Sequence, residues 1–155
     1  MSKKKYKGLM IQNKNSKRNY ELIEYYEAGI SLSGTEVKSI VAGRTNISDS
    51  YCVIKNEECY ILNMHISPYE FGNRENKDPD RTRKLLLHKS EIRKINQKIM
   101  EKKLSLIPTK IYMKNNKIKV EIALAKGKKL YDKRQDMIKK ETKRKLDRVV
   151  KGYLK

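Results

Sequence analysis

Few side chains in this 155-residue chain could perform chemistry, and their spacing argues against it. Its two histidines, His65 and His88, have no carboxylate or cysteine at a local spacing suited to a metal ion or a proton relay, so structural histidines are expected. Cys52 and Cys59 are too few for a disulfide framework and match no C-x-x-C motif. On a hairpin turning at Asn56-Glu57, Cys52 faces Ile61 and Cys59 faces Ile54, which makes the thiols diagonal neighbours and predicts that both stay free and buried. Glu70, Glu75, Asp78 and Asp80 could chelate Mg²⁺ for a nuclease, but Arg74, Lys77, Arg81 and Arg83 are interleaved with them, and mutual neutralisation is the simpler reading. The dinucleotide fingerprint, the P-loop, the H-E-x-x-H pair and the nucleophile elbow do not occur, and Gly127-Lys128-Lys129 lacks the upstream glycine of a phosphate loop. A binding protein is expected, with no catalysis, cofactor or metal.

The chain is rich in positive charge instead: 38 Lys+Arg against 18 Asp+Glu, a formal net charge of +20. Residues 1–19 contribute +7, residues 20–125 only +4, and residues 126–155 the remaining +9. A nearly balanced body between two basic ends is the profile of a polyanion binder. A membrane surface fits poorly, because an interfacial helix wants Trp, Phe or Leu on its apolar face and the chain has no Trp and one Phe. No apolar run approaches the ~20 residues that span a bilayer, and after Lys7 only Gly8-Leu9-Met10-Ile11 precedes the return of polarity, too little for a signal peptide. A soluble cytoplasmic protein is expected, monomeric and pairing one to one with its nucleic acid.

The elements that would hold such a surface are mostly strands. From Lys110 to Leu124, apolar residues alternate on both sides of Asn115-Asn116, which predicts a hairpin with Met113 facing Ile118, Ile111 facing Val120 and Lys110 facing Glu121. Tyr51–Ile66 reads as a second hairpin, apolar on both faces and therefore buried on both. Tyr20–Tyr26 reads as a strand ending at Glu27-Ala28-Gly29. Thr35–Val41 reads as a short helix capped by Thr35 with Val37, Ile40 and Val41 inward, and Ser90–Lys103 as a helix with Ile92, Ile95, Ile99 and Met100 inward. Pro108 marks the return to strand. Ser67–Arg83 is a long polar loop. Short strands with two intervening helices predict a mainly β fold, a small antiparallel barrel of the oligonucleotide-binding type with flanking short helices and a basic C-terminal tail. The domain reading is a basic arm over 1–12, a barrel over 13–125 and a tail over 126–155.

The tail has too little apolar surface to bury itself, yet Asp136/Lys140, Glu141/Lys145 and Asp147/Lys151 are acid-first i, i+4 pairs. It is expected to be disordered alone and helical against an anionic partner. Lys14, Lys17 and Arg18, with the run Arg81-Thr82-Arg83-Lys84, are the candidate phosphate contacts.

Glu27-Ala28-Gly29-Ile30, Gly34-Thr35-Glu36-Val37-Lys38-Ser39, Ile47-Ser48-Asp49-Ser50-Tyr51, Asp78-Pro79-Asp80-Arg81-Thr82-Arg83-Lys84-Leu85-Leu86-Leu87 and Ala125-Lys126-Gly127-Lys128-Lys129-Leu130-Tyr131-Asp132-Lys133-Arg134 follow one another as they do in the SmpB family, which the chain resembles from about Asn13 to Arg134. The resemblance implies an oligonucleotide-binding barrel that holds the tRNA-like domain of transfer-messenger RNA, and a tail that works in the ribosome, against rRNA of the small-subunit decoding region and the mRNA channel. It places Asn13, Glu27 and Leu86 at positions implicated in RNA binding, with Lys38 inside one shared motif. Asp132, Lys133 and Arg134 fall at the tail motif needed on the ribosome, preceded by Lys126, Gly127, Lys128, Lys129 and Tyr131. Tyr131 stands where many members carry His, which leaves stacking but no imidazole chemistry. The stretch Asn13-Lys14-Asn15-Ser16 lacks the family's common basic-basic-Ala continuation.

Each of the three RNA positions has two readings. Asn13 could pair a base edge or a sugar hydroxyl, or serve a turn; Glu27 could accept from a base amino group or a 2′-hydroxyl or orient a neighbouring cation, or be a strand-end charge; Leu86 could pack under a base or in the core. The function implied is that of an adaptor for ribosome rescue. The alternative is a general RNA-binding or ribosomal protein on the same barrel, but a single-strand binder would expose aromatics among its basic residues, and the tyrosines here fall at apparent core positions.

Overall fold

The computed structural model describes residues 9–70, 76–128, 138 and 140–144. The N-terminal lysines, the centre of the long loop, and Lys129, Tyr131, Asp132, Lys133 and Arg134 of the tail motif lie outside these residues. In chain order the elements are β1 (Met10–Gln12), α1 (Ser16–Asn19), β2 (Tyr20–Ile30), α2 (Gly34–Val41), β3 (Thr45–Asn46), β4 (Tyr51–Lys55), β5 (Glu58–Leu62), β6 (His65–Ile66), β7 (Arg83–Leu86), α3 (Lys89–Lys102), β8 (Ser105–Lys114) and β9 (Lys117–Gly127).

Alternation and turn chemistry build the two hairpins. Asn115 and Asn116 take φ of 52° and 60°, the left-handed pair that a two-residue hairpin turn requires and that Asn tolerates. The register then follows, with Met113 opposite Ile118, Ile111 opposite Val120 and Lys110 opposite Glu121. The β4–β5 hairpin turns the same way at Asn56 and Glu57, bringing Cys52 opposite Ile61 and Ile54 opposite Cys59. Both thiols are free and buried. That face of the hairpin is the more buried one, however; on the other, Tyr51 is exposed and Val53, Tyr60 and Leu62 are half-buried.

The sheet runs β1-β8-β4-β5-β7-β2-β9, every pairing antiparallel, and β9 returns to pair with β8. The strands from β8 round to β9 therefore close into the expected barrel. Its axis is packed with Ile61, Leu85, Ile111, Val120, Ile122 and Leu124, and α2 and α3 add Ile40, Ile92 and Ile95. The edge of β8 that faces away from β9 is shared. Near its start it meets β4 at a single pair, Cys52–Leu106, and further along it takes β1, with Met10 opposite Tyr112 and Gln12 opposite Lys110. Residues 10–12, the end of the basic arm read from sequence, pair with β8 in the sheet.

Other expectations shift for local reasons. β2 does not stop at Glu27 but runs to Ile30, since Ala28 and Ile30 still point into the core. Pro108 does not begin β8; it sits inside the strand, where the register slips between Pro108 and Lys110, and a bulge accommodates its missing N–H. In α2 the cap is Ser33, not Thr35. The Ser33 hydroxyl accepts from the Glu36 N–H and the Glu36 carboxylate accepts from the Ser33 N–H at 2.9 Å, a reciprocal capping box. Thr35, Ser39 and Ile40 turn inward while Val41 is only half-buried. Met100 on α3 is 74% exposed, one step off the stripe of Ile92, Ile95 and Ile99.

One buried charge cluster links the layers. Arg83, whose side chain is fully buried, donates its Nε to Glu36 at 2.5 Å and its remaining donors to the carbonyls of Met64, Arg81 and Pro79. Arg81 donates two further bonds to the same carboxylate. Burial pushes the Glu36 carboxyl up, but the hydrogen bonds from Arg81, the Ser33 backbone and Arg83 outweigh it and hold the group down at about 2.

Candidate nucleic-acid interface

β7 alternates in and out, and the alternation splits the basic run assigned to phosphate binding. Arg83 and Leu85 point inward; Lys84 and Leu86 point outward. Arg83 is therefore withdrawn from the candidate surface: every one of its bonds is spent on Glu36 and backbone carbonyls, so a phosphate has no access to it. Arg81 is committed to Glu36 and to the Ser31 carbonyl, and keeps only partial exposure. Lys84 stays at the surface, 2.9 Å from the exposed carboxylate of Glu58.

Leu86 does not lie in the core. It is 53% exposed and lies opposite Gly29 of β2, where a Cβ would come within 3.2 Å of the Leu86 Cβ. The glycine lets the strands approach so closely that Leu86 stands beside Glu27. A cavity of about 470 Å³ joins these two with Lys84, His88 and Lys119. Residues 59 positions apart in sequence, brought forward by resemblance alone, thus share one surface. Glu27 accepts from the Tyr112 hydroxyl and from Lys114 Nζ at 3.4 Å. The Tyr112 hydrogen bond, with Lys114 and Lys119 nearby, holds its carboxyl below the usual range, so it is an ionised acceptor among cations.

Asn13 resolves to the inner reading. It is 6% exposed, its Nδ2 donates to the Pro108 carbonyl at 2.8 Å, and its Oδ1 accepts from the Asn15 N–H at 3.1 Å. Its backbone N–H donates to the Thr109 carbonyl at 2.8 Å. Asn13 therefore fills the stretch of the β8 edge between β1 and β4, and fixes the turn that leads into α1. Lys14, Lys17 and Arg18 project from that turn to solvent. Lys126 and Gly127 are the last residues of β9 rather than the first of the tail, and Lys128 ties the strand end to α1 through its N–H on the Asn19 carbonyl and its Nζ on the Lys17 carbonyl, both at 3.0 Å. Lys38 is exposed on α2 with its Nζ 5.2 Å from the centre of the Tyr69 ring.

The basic turn stands at the start of β2 and the Glu27–Leu86 surface near its end, roughly 30 Å along the strand at about 3.3 Å per residue. Sequence reasoning missed the partner of His65, which is Asp80 at 2.9 Å across the long loop, and the bond from Lys98 to Glu24 at 2.5 Å that ties α3 to β2. No local spacing could reveal either. Among the described residues no group of three or more His, Cys, Asp or Glu is placed to hold a metal ion, and no helix is long and apolar enough to cross a membrane.

The model of the family described as SmpB protein matches residues 10–152. The chain belongs to the SmpB family. It is 53% identical to the SsrA-binding protein of Desulforudis audaxviator over 143 residues, which cover 92% of this chain and 94% of that one. It is 52% identical to the SsrA-binding protein of Clostridium botulinum over 151 residues, 97% of both chains. A chain in the solved structure "tmRNA-SmpB: a journey to the center of the bacterial ribosome" superposes with a TM-score of 0.67 at 44% identity, covering 79% of this chain and 87% of that one. The SmpB match continues past β9 into the basic tail, as far as residue 152.

For this member of the family, Glu27→Gln is expected to weaken binding of a tRNA-like RNA about tenfold while random RNA loses little, because a carboxylate among phosphates is useful as a directed acceptor. Competition binding with the two RNAs checks it; equal losses would mark a folding defect.

Proposed function

We propose that this protein is the RNA-binding adaptor of trans-translation: its barrel holds the tRNA-like domain of transfer-messenger RNA, one protein per RNA, and its tail acts in the small ribosomal subunit to rescue stalled ribosomes. The observation that carries the reading is the family match over residues 10–152, with relatives named SsrA-binding protein at about half identity over nearly the full chain. The barrel, from β1 to Lys128, is the RNA-holding unit, with Lys14, Lys17, Arg18, Lys38 and Lys84 as phosphate contacts and Glu27 and Leu86 as directed ones. Residues from Lys129 onward form the ribosome-directed part, and the site of action is the cytoplasm. The protein binds and positions, and the chemistry of peptide transfer belongs to the ribosome; the formal charge of +20 supports a role played out entirely against RNA.

Recovering the protein from cells and sequencing its bound RNA tests the proposal. One dominant RNA with a tRNA-like end and a short reading frame is expected, whereas a scatter of ribosomal or messenger fragments would favour a general RNA binder. Affinity should also depend on salt. With Arg83 buried and Arg81 paired, roughly four or five phosphates are engaged, so a fourfold rise in salt should weaken binding on the order of 10²-fold. A flat salt profile would contradict the phosphate contacts.

A further inference from the structure

The seam between β4 and β8 is the least paired part of the barrel wall. Cys52–Leu106 is its one strand pair among the described residues, and Asn13 occupies the edge beyond it. A cavity of about 610 Å³ opens there, between β4, β8, α1 and the second half of α3. Its inner surface is apolar, with Ile54, Ile99 and Leu106, and its rim is polar and almost uncharged: Asn15, Asn19, Asn96 and Ser105, with Tyr20 and Tyr51, and Asp49 as the one charged side chain among the described residues. No described Lys or Arg contributes to the lining.

We propose that this seam is a base pocket, in which one unstacked nucleobase of the bound RNA rests on Ile54, Ile99 and Leu106 and is read at its edge by the side-chain amides of Asn19 and Asn96. The inference rests on the RNA-binding function proposed above and gives that function a source of sequence preference. An apolar floor with a few converging polar groups is the anatomy of a small-ligand site. The lack of cations and the presence of Asp49 disfavour a phosphate, whereas a neutral heterocycle gains both from the floor and from the rim. An amide carries a donor and an acceptor in one plane, which is the complement of a base edge. The amides of Asn19 and Asn96 make no hydrogen bond to any other described residue, so both donors and acceptors remain available to a ligand. Tyr51, 40% exposed, adds an aromatic face at the rim. The cations absent from the cavity lie next to it: Lys14, Lys17 and Arg18 are on the same short segment that supplies Asn15 and Asn19, where they can meet the phosphates flanking an inserted base. Asn13, whose own amide is used on Pro108, is a positioning residue that holds this segment against the seam.

The test measures RNA affinity of the full chain against a tRNA-like RNA over a range of salt. Asn19→Ala and Asn96→Ala should each weaken binding about 10- to 100-fold with the salt slope unchanged. Lys17→Ala should instead lower the slope by about one. Asn96→Ala adds a better helix former to α3, so an intact circular dichroism spectrum is expected. Abasic substitutions along the RNA should then reveal one nucleotide whose loss weakens binding to the original protein but not further to the Asn96→Ala variant. The proposal is overturned if both alanine variants bind RNA within twofold of the original, or if their losses come with a reduced salt slope. It is equally overturned if no abasic site is coupled to Asn96, or if free guanosine or adenosine shifts the Asn19 and Asn96 amide resonances while both variants keep full RNA affinity. A protein that bound no tRNA-like RNA at all would refute the proposed function itself.

Discussion

A chain ended after Lys129 is expected to fold, to bind transfer-messenger RNA almost as well as the full protein, and to lose ribosome rescue completely. The barrel closes without the removed residues: β9 finishes at Gly127, and Lys128 makes the last described ties, to Asn19 and Lys17. The excised residues 130–155 carry +6, the +9 of residues 126–155 less Lys126, Lys128 and Lys129, so their loss removes mainly charge and little apolar surface. Its acid-first pairs make a helix available, and residues 140–144 are helical in the structure. Wholly helical, residues 131–154 would extend roughly 36 Å at 1.5 Å per residue, long enough to follow an RNA-lined channel. Replacing Asp132-Lys133-Arg134 with alanines should abolish rescue while sparing RNA affinity, and Val149→Pro should damage it by breaking the helix. Rescue assays and RNA binding on the same variants check this. A truncated protein that still rescued stalled ribosomes would reduce the tail to a solubility device.

Glu36→Ala should produce the largest loss of stability, about 3–5 kcal/mol, by leaving the buried Arg83 guanidinium without its countercharge. The same change removes the capping-box partner of Ser33 and the anchor of Arg81. For a body of this size the melting temperature should fall by about 10–20 °C, measured by thermal denaturation. The pH dependence has a definite sign. Glu36 titrates at about 2 in the folded protein and near its ordinary 4.5 when unfolded, so its contribution is complete above about pH 4.5 and disappears as pH falls through about 2. The original protein should lose stability steeply across that window, and Glu36→Ala should show a flatter acid limb. Unchanged acid limbs in the two proteins would mean that the cluster contributes nothing.

Much of the barrel was legible because period-two patterns and turn residues are local. The positive φ that Asn115-Asn116 supply fixes the β8–β9 register, and the cysteine placement followed from Asn56-Glu57 in the same way. The charged residues were less legible, since a side chain's direction depends on partners far along the chain. Arg83 meets Glu36 across 47 positions, yet one signal was available: Arg83 and Leu85 share strand parity, so a buried Leu85 implies an inward Arg83. Ser33-x-x-Glu36 likewise carried the capping signature that Thr35 obscured. For Asn13 no such signal exists. Its role depends on a gap in the β8 edge that only the closed barrel defines.

The shared edge of β8 also determines where attachments to the protein can be made. The chain enters the barrel at Met10 beside Tyr112, near the Asn115-Asn116 turn, and leaves it at Gly127 beside Tyr20, past the Ser105–Ala125 pair. Entry and exit are thus separated by the stretch of β8 from Ser105 to Tyr112, roughly 23 Å of strand. A dye carried on the exposed Met10 of β1 therefore sits about that far from Gly127, where β9 ends. Such a label follows the body of the protein because β1 is paired to β8, and a second label on the tail would be read against that reference.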